Sequence, residues 1–455
     1  MNNGIKINKT IIIIYLCLAL LPSMLRTQNL VVGYYADWLK SSLPASEIQF
    51  NNLTHVIHSF GWPTSDGGLE FYEGLVDANL NSKVHENNKK ILIAFGGAGQ
   101  SQGFGPMSTD SIARKNFIDN VYEFITNNNY DGIDIDWEFP ENDNEKEGLT
   151  KLVKELRAKF DELNPSLLIS MAVNSSDWGG QHFEYEKMSE YIDWFAMMGY
   201  DISGSWSSYT GYNAPLFMGQ NDWSWNDGYN YLHSTRSIPN NKILLGMPFY
   251  GKQFEANGVY QGFSGEVVNL RYNEVMQEFN TGNWDYFWDE ETKVPYLQNK
   301  DKTKFITYDD TNSVIEKVKY ALEKEVAGVM IWAIGQDIIG NKQPLLEAIG
   351  NSLDRLTNTA DSEHAFPKEF YLENNYPNPF NPSTNISFSI PEKGDVSLFI
   401  YDMLGKEVLT IIDNQQTAQG SYNVKINMDG FSSGMYFYKL SYNDRIETKK
   451  MIFLK

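Results

Sequence analysis

Short apolar or β-branched runs punctuate the chain at Leu30–Tyr35, His55–Phe60, Ile91–Phe95, Gly132–Asp136, Leu167–Val173, Trp194–Tyr200, Ile243–Phe249 and Gly328–Trp332. Runs of that length, bounded by polar text, predict strands buried on both faces. Between several of them apolar residues recur at helical spacing, most clearly over Ser111–Thr126, Lys151–Leu163 and Ser313–Lys324. Eight strands alternating with helices predict an α/β chain folded as a TIM (β/α)8 barrel. One connection is too long for that pattern. Lys252 to Asp310, rich in tyrosine and tryptophan and weakly alternating, predicts an inserted small α+β subdomain over about 252–310.

After Leu356 the text turns polar, and Asn375 to Pro382 reads Asn-Tyr-Pro-Asn-Pro-Phe-Asn-Pro, a proline density that ends regular structure. Short runs follow at Val396–Tyr401 and Met435–Leu440, with turn signals at Leu404-Gly405 and Ser433-Gly434. They predict a small C-terminal β-sandwich. The expected organisation is therefore a barrel over 28–356, a linker over 357–374 and a sandwich over 375–455.

Lys6 and Lys9 precede an apolar run from Ile11 to Leu21 and then Pro22. This predicts a secretory signal peptide over 1–27, since the run is too short to span a bilayer. Its removal takes Lys6, Lys9 and Arg26 and shifts the formal charge from −21 to −24. A chain that acidic is a poor partner for nucleic acid. The only cysteine, Cys17, leaves with the signal, so neither a disulfide nor a thiolate metal site is expected. His55 and His58 lie three apart in a predicted buried strand, where they read as core residues, and no metal or cofactor is expected.

Residues 131–138 carry the chemistry: Asp-Gly-Ile-Asp-Ile-Asp-Trp-Glu. Strand side chains alternate, so Asp134, Asp136 and Glu138 fall on one face, roughly 6 to 7 Å apart, and Asp131 on the other. An ordinary half-buried strand turns its acids to water. Here Ile133, Ile135 and Trp137 interleave them, and in a parallel barrel both faces are covered. Three carboxyl groups crowded in a partly buried site cannot all ionise cheaply, so at least one is expected to hold a proton near neutrality.

With these residues in view, the chain from about Leu30 to Leu356 resembles the chitinases of glycoside hydrolase family 18. Asp131, Asp134, Asp136 and Glu138 match the family's D-x-x-D-x-D-x-E signature, and Met198, Tyr200 and Asp201 match its M-x-Y-D. Gly246 to Lys252 resembles its G-x-P-x-Y-G-R segment, and Gly328 to Trp332 completes the set. The insertion resembles the chitinase insertion domain. The C-terminal unit is similar to type IX secretion sorting domains through its proline-rich opening, Tyr401 to Gly405 and its lysine-rich end; a carbohydrate-binding module is the other reading of a small β-sandwich.

The resemblance implies a secreted or surface-attached, retaining hydrolase that cuts β-1,4 bonds between N-acetylglucosamine units, acts without a cofactor and works as a monomer. Chitin would be its substrate and the secretion machinery its partner. Glycoside cleavage needs a proton donor, and the resemblance makes Glu138 that donor. The substrate's own 2-acetamido oxygen would replace a nucleophilic carboxylate, with Asp136 holding the acetamido N–H, Asp134 sharing a proton, Tyr200 donating to the acetamido oxygen and Asp201 positioning the sugar. Trp332 would floor the cleaved sugar; Tyr34, Phe60, Met198, Met330 and Gly97 would line its pocket, with Trp38 and Trp206 further along the cleft. Two departures stand out. Ala94 occupies the serine position of the family's S-x-G-G segment, which predicts a missing hydroxyl beside the inner aspartate, and Ala98 stands where many relatives carry tryptophan. A chitin-binding lectin and an endo-β-N-acetylglucosaminidase acting on glycoprotein glycans are the alternative functions.

Overall fold

Eight parallel strands close on themselves: β1 (Leu30–Ala36), β2 (His55–Pro63), β3 (Lys90–Gly96), β4 (Gly132–Asp136), β5 (Leu168–Asn174), β6 (Trp194–Met198), β7 (Ile243–Pro248) and β8 (Gly328–Trp332). Each pairs with its sequence neighbours, and β8 closes the ring on β1. This is the expected (β/α)8 barrel. The computed structural model describes residues 29–220, 223–360, 370–375 and 377–455, so the signal segment and residues 361–369 of the linker lie outside the described residues.

Parity decides what each strand gives to the interior. Val32, Ile57, Leu92, Ala196, Leu244 and Met330 pack together inside the barrel, while the intervening residues face the helices. The helices announce their starts. Asp110 accepts from the backbone N–H groups of Ile112 and Ala113, both at 2.8 Å, at the head of the helix Ser111–Asn127. Asp310 does the same for Thr311–Glu323. Caps of this kind satisfy donors that have no partner within a helix. The helix Asp143–Leu163 buries Leu149, Leu152, Leu156 and Phe160, spaced to form one face.

Three boundaries differ from the sequence reading. β6 stops at Met198 rather than Tyr200, because Asp201 turns the chain with φ of 59°. The last barrel helix, Pro344–Ala360, runs past Leu356; polar residues cost a helix little at its end. The C-terminal unit begins before Asn375, since the short strand Tyr371–Leu372 pairs with Phe388 and Ser389.

The insertion is a five-stranded antiparallel sheet with one helix, Tyr272–Asn280. Its strands, in spatial order, are Ser264–Arg271, Tyr250–Glu255, Phe305–Thr307, Val294–Asn299 and Trp284–Asp289. It leaves the barrel directly after β7, so its first strand sets Tyr250 and Lys252 just past the C-terminal end of β7.

The C-terminal part of the chain forms a separate compact unit, the division falling after Asp354, within the helix Pro344–Ala360. Two antiparallel sheets, one of three strands and one of four, enclose Ile386, Phe388, Leu398, Ile400, Tyr438 and Leu440, as the predicted sandwich requires. Its proline-rich opening is pinned from within: Tyr438 Oη donates to the carbonyl of Glu373 at 2.7 Å and accepts from the N–H of Asn375 at 2.8 Å.

The joint between β3 and β4 tolerates no side chain. Gly96 has φ of 112°, and a Cβ there would collide with the carbonyl of Asp136. Gly96→Ala is expected to lower stability by about 1 to 3 kcal/mol, read as a lower midpoint in equilibrium denaturation.

Candidate active site

β4 is buried along its whole length. Asp131, before it, accepts at 2.8 Å from the N–H of Ile91 and lies 2.8 Å from His85 Nε2, which fastens the start of β4 to β3. Its position is structural, as parity predicts. Asp134 is fully buried inside the barrel, and both of its oxygens accept a hydroxyl: Tyr34 Oη at 2.7 Å on Oδ2 and Ser170 Oγ at 2.6 Å on Oδ1. The hydroxyl expected to be missing at Ala94 is thus supplied from β5. Burial nevertheless pushes Asp134 up to about 6, against those two hydrogen bonds.

Asp136 is 5% exposed, and its Oδ1 is buried without a hydrogen-bond partner among the described residues. Burial first, then the charges of Glu138 and Asp134, raise it well above the usual carboxylate range. Glu138 lies beyond the end of β4, so the third acid of the row stands on the loop rather than on the strand itself. Its N–H donates to Ser101 Oγ at 3.0 Å, and the same hydroxyl lies 3.3 Å from the carbonyl of Asp136. Burial and then the charge of Asp201 push Glu138 up to about 7. Burial is thus the first cause that raises each acid of the row, and the charges of its neighbours in the row add to it at Asp136.

Tyr200 and Asp201 face this row from the end of β6. Burial and the surrounding acids hold the Tyr200 phenol protonated, far above its ordinary range, so it serves as a donor. Asp201 Oδ1 accepts from Tyr250 Oη at 2.6 Å and pairs with Lys252 Nζ at 2.9 Å. Lys252 is 3% exposed, and its ammonium sits 5.0 Å from the ring centre of Trp206, a cation–π distance.

The rings named from the sequence fall into two groups. Trp332 has Tyr34, Phe60 and Trp38 around it, with ring centres 5.5, 5.6 and 6.3 Å away. Trp38 also meets Tyr72 at 6.2 Å, which extends the aromatic path. Trp206 lines a cleft of about 610 Å³ together with Glu138, Met198, Tyr200 and Asp201. Met330 is buried and lies 4.0 Å from Tyr200 Oη through its sulfur. Gly97 gives its N–H to the carbonyl of Asp136 at 2.8 Å and leaves room for the Phe60 ring, so it shapes the pocket rather than offering a free donor.

Several residues escaped the sequence reading. Trp178, 77% exposed, and Trp223 line the same cleft; single tryptophans on loops carry no periodic signal. Ser101 had none either. Ser170 was visible only as a lone hydroxyl in the apolar run Leu167–Val173, and Lys252 as a lysine where the resembling motif ends in arginine. Among the described residues no cluster of three or more metal-binding side chains occurs.

A family model described as glycosyl hydrolases family 18 matches residues 30–337, and one described as a secretion system C-terminal sorting domain matches 374–454. A probable chitinase 2 of Drosophila melanogaster is 29% identical over 357 residues, spanning 69% of this chain and 73% of that protein. Chitinase A1 of Niallia circulans is 26% identical over 372 residues, 71% of this chain but only 53% of that protein. The crystal structure of an Ostrinia furnacalis Group IV chitinase in complex with allosamidin is 26% identical with a TM-score of 0.68, over 72% of this chain and 99% of that one. A family 18 chitinase from Cycas revoluta in complex with (GlcNAc)3 is 25% identical, with a TM-score of 0.65 over 71% of this chain and 99% of that one. The acid row on β4, the barrel that carries it and a family match over well over half of the sequence agree: the chain belongs to glycosyl hydrolases family 18 and is a glycoside hydrolase with a C-terminal secretion sorting domain.

Proposed function

We propose that the protein is a secreted chitinase that hydrolyses β-1,4 linkages between N-acetylglucosamine units with the help of the substrate's own acetamido group. The observation that carries this reading is Asp136 Oδ1, a buried oxygen with no hydrogen-bond partner among the described residues, on the same row as Glu138, which burial and then the charge of Asp201 push up to about 7. A buried polar atom left unpaired costs about 1 to 3 kcal/mol, and an acetamido N–H would satisfy it. Glu138, as the acid, protonates the glycosidic oxygen while the bond to the anomeric carbon breaks. The acetamido oxygen attacks that carbon, and the positive charge that forms is matched by Asp136. Tyr200 donates to the acetamido oxygen. Glu138, now a carboxylate, takes a proton from water as the water opens the ring, and the configuration is retained.

Trp332 supports the apolar face of the reacting sugar, with Trp38 on one arm of the cleft and Trp206 and Trp178 on the other, because pyranose faces pack well on aromatic rings. Asp201, held by Tyr250 and Lys252, fixes the edge of the same subsite. The sorting domain sends the protein out of the cell through a type IX machinery, for release or attachment at the cell surface.

Three outcomes are expected. Glu138→Gln should lower kcat by about 10² to 10⁴ with KM nearly unchanged, while fully deacetylated oligosaccharides should not be cleaved by the wild type; equal turnover of acetylated and deacetylated substrates would end the substrate-assisted reading. Because Glu138 must be protonated to act, kcat/KM should fall as pH rises through about 7, and that falling limb should vanish in the residual activity of Glu138→Gln. The intact mass of the protein recovered from the medium of its native host should lack residues of the sandwich; an untrimmed C-terminus would count against the sorting route.

A further inference from the structure

β6 and β7 are paired only as far as Met197 and Leu245, whereas β7 stays paired with β8 up to Pro248. Past Leu245 the chain leaving β6 carries Tyr200 without a ladder to hold it. A side chain from a later segment bridges the gap. Trp225, 1% exposed at the start of the short helix Trp225–Asn230, donates its one indole N–H to two carbonyls at once, those of Gly199 and Gly246, each at 3.0 Å. We propose that Trp225 is a positioning residue for Tyr200: its indole N–H fixes the peptide from which Tyr200 departs and ties it to the backbone of β7 beside the phenol ring. The proposal rests on the reaction described above and assigns it a residue outside the acid signature and the motif that holds Tyr200.

A peptide unit is planar, so a hydrogen bond that fixes the oxygen of Gly199 also fixes the amide nitrogen of Tyr200. The turn needs that hold, because Asp201, next along, has φ of 59°, which a residue other than glycine adopts at a cost. The second carbonyl belongs to the wall of the phenol: a Cβ on Gly246 would stand 3.3 Å from Cε1 of Tyr200 and 2.7 Å from the terminal methyl of Met330, whose sulfur is 4.0 Å from Tyr200 Oη. The indole is held in turn. Its own backbone N–H donates to the carbonyl of Pro215 at 2.9 Å. Lys317, fully buried on the helix Thr311–Glu323, places its ammonium 5.1 Å from the centre of the indole ring, and Asp309 holds that ammonium with both oxygens, at 2.6 and 2.7 Å. A buried ion pair adds little net stability over apolar packing. Its place against Trp225 gives it a use, since a cation at the ring draws charge from the N–H and strengthens its donation to both carbonyls.

A double-mutant cycle separates positioning from packing. Trp225→Phe keeps an aromatic ring and removes the N–H. On a diacetylchitobioside with a fluorogenic leaving group it should lower kcat by about 10- to 100-fold, with KM within about twofold. In the Tyr200→Phe background, where no phenol is left to place, the same substitution should lower kcat by less than about twofold, while the denaturation midpoint falls equally in both backgrounds. A loss of kcat that carries over in full to Tyr200→Phe, or no loss in the wild-type background, overturns the proposal. Should Trp225→Phe not fold, Trp225→benzothienylalanine keeps the bicyclic ring and loses only the N–H, and the same two results overturn the proposal. The crystal structure of the variant reads the effect without substrate: Tyr200 Oη should have left its place 4.0 Å from the sulfur of Met330, and an unmoved phenol overturns the proposal even where activity falls. A wild type that fails to cleave the acetylated substrate would sink the chitinase reading alone, and the position of the phenol in the crystal then decides between positioning and packing.

Discussion

Burying negative charge without a counter-ion is the constraint around which this barrel is organised. Asp134, Asp136 and Glu138 lie in or at the edge of the interior, and Lys252, the lysine described at the site, is paired with Asp201. A lysine directed at the row would hold all three acids ionised and leave no proton to give. The structure uses neutral donors instead. Tyr34 and Ser170 reach the inner acid, Ser101 holds the backbone of the outer one, and Tyr200 stays protonated opposite them. Hydroxyl groups stabilise an anion enough to place it and too little to empty the row of protons.

This arrangement also explains why the outer acid stands off the strand. On β4 itself, side chains are held by neighbours on both sides, and Asp134 is fixed in that way. A proton donor must meet a leaving oxygen in the cleft, which the strand does not reach. The loop after Asp136 carries Glu138 to the cleft wall beside Tyr200 and Asp201, and Ser101, from the loop after β3, sets its backbone. In the proposed reaction, strand and loop would thus divide the work of storing a proton and delivering it.

How far the sequence reveals this follows from the range of each interaction. Alternation along one strand needs only local spacing, so Asp134 and Asp136 were legible, and the opposite parity of Asp131 marked it as structural. All eight barrel strands were legible as short apolar or β-branched runs, a signal equally local. Where a strand ends was not, because the stop after Met198 depends on the turn at Asp201, and the extension to Glu138 was assumed. The hydroxyl of Ser170 escaped the sequence reading because its importance depends on which residue the next strand sets beside Asp134, a matter of register across the closed barrel. Ala94 departs from the family pattern on β3, and only the assembled sheet shows the compensation from β5, on the other side of Asp134.

Charge separates the two units as sharply as structure does. Residues 375–455 contain eight acidic and eight basic side chains, so the net charge of −24 on residues 28–455 resides wholly in the segment before the sandwich. A neutral polysaccharide gains nothing from such a field, which agrees with a cleft that offers rings rather than cations: Trp38, Trp178, Trp206 and Trp223 are exposed around it, and the buried Lys252 is already paired with Asp201. Stacking on aromatic faces is little affected by salt, whereas charge attraction over more than about 8 Å is screened at physiological ionic strength. The acidic surface then serves solubility, and recognition is left to shape, ring stacking and the single unpaired oxygen of Asp136.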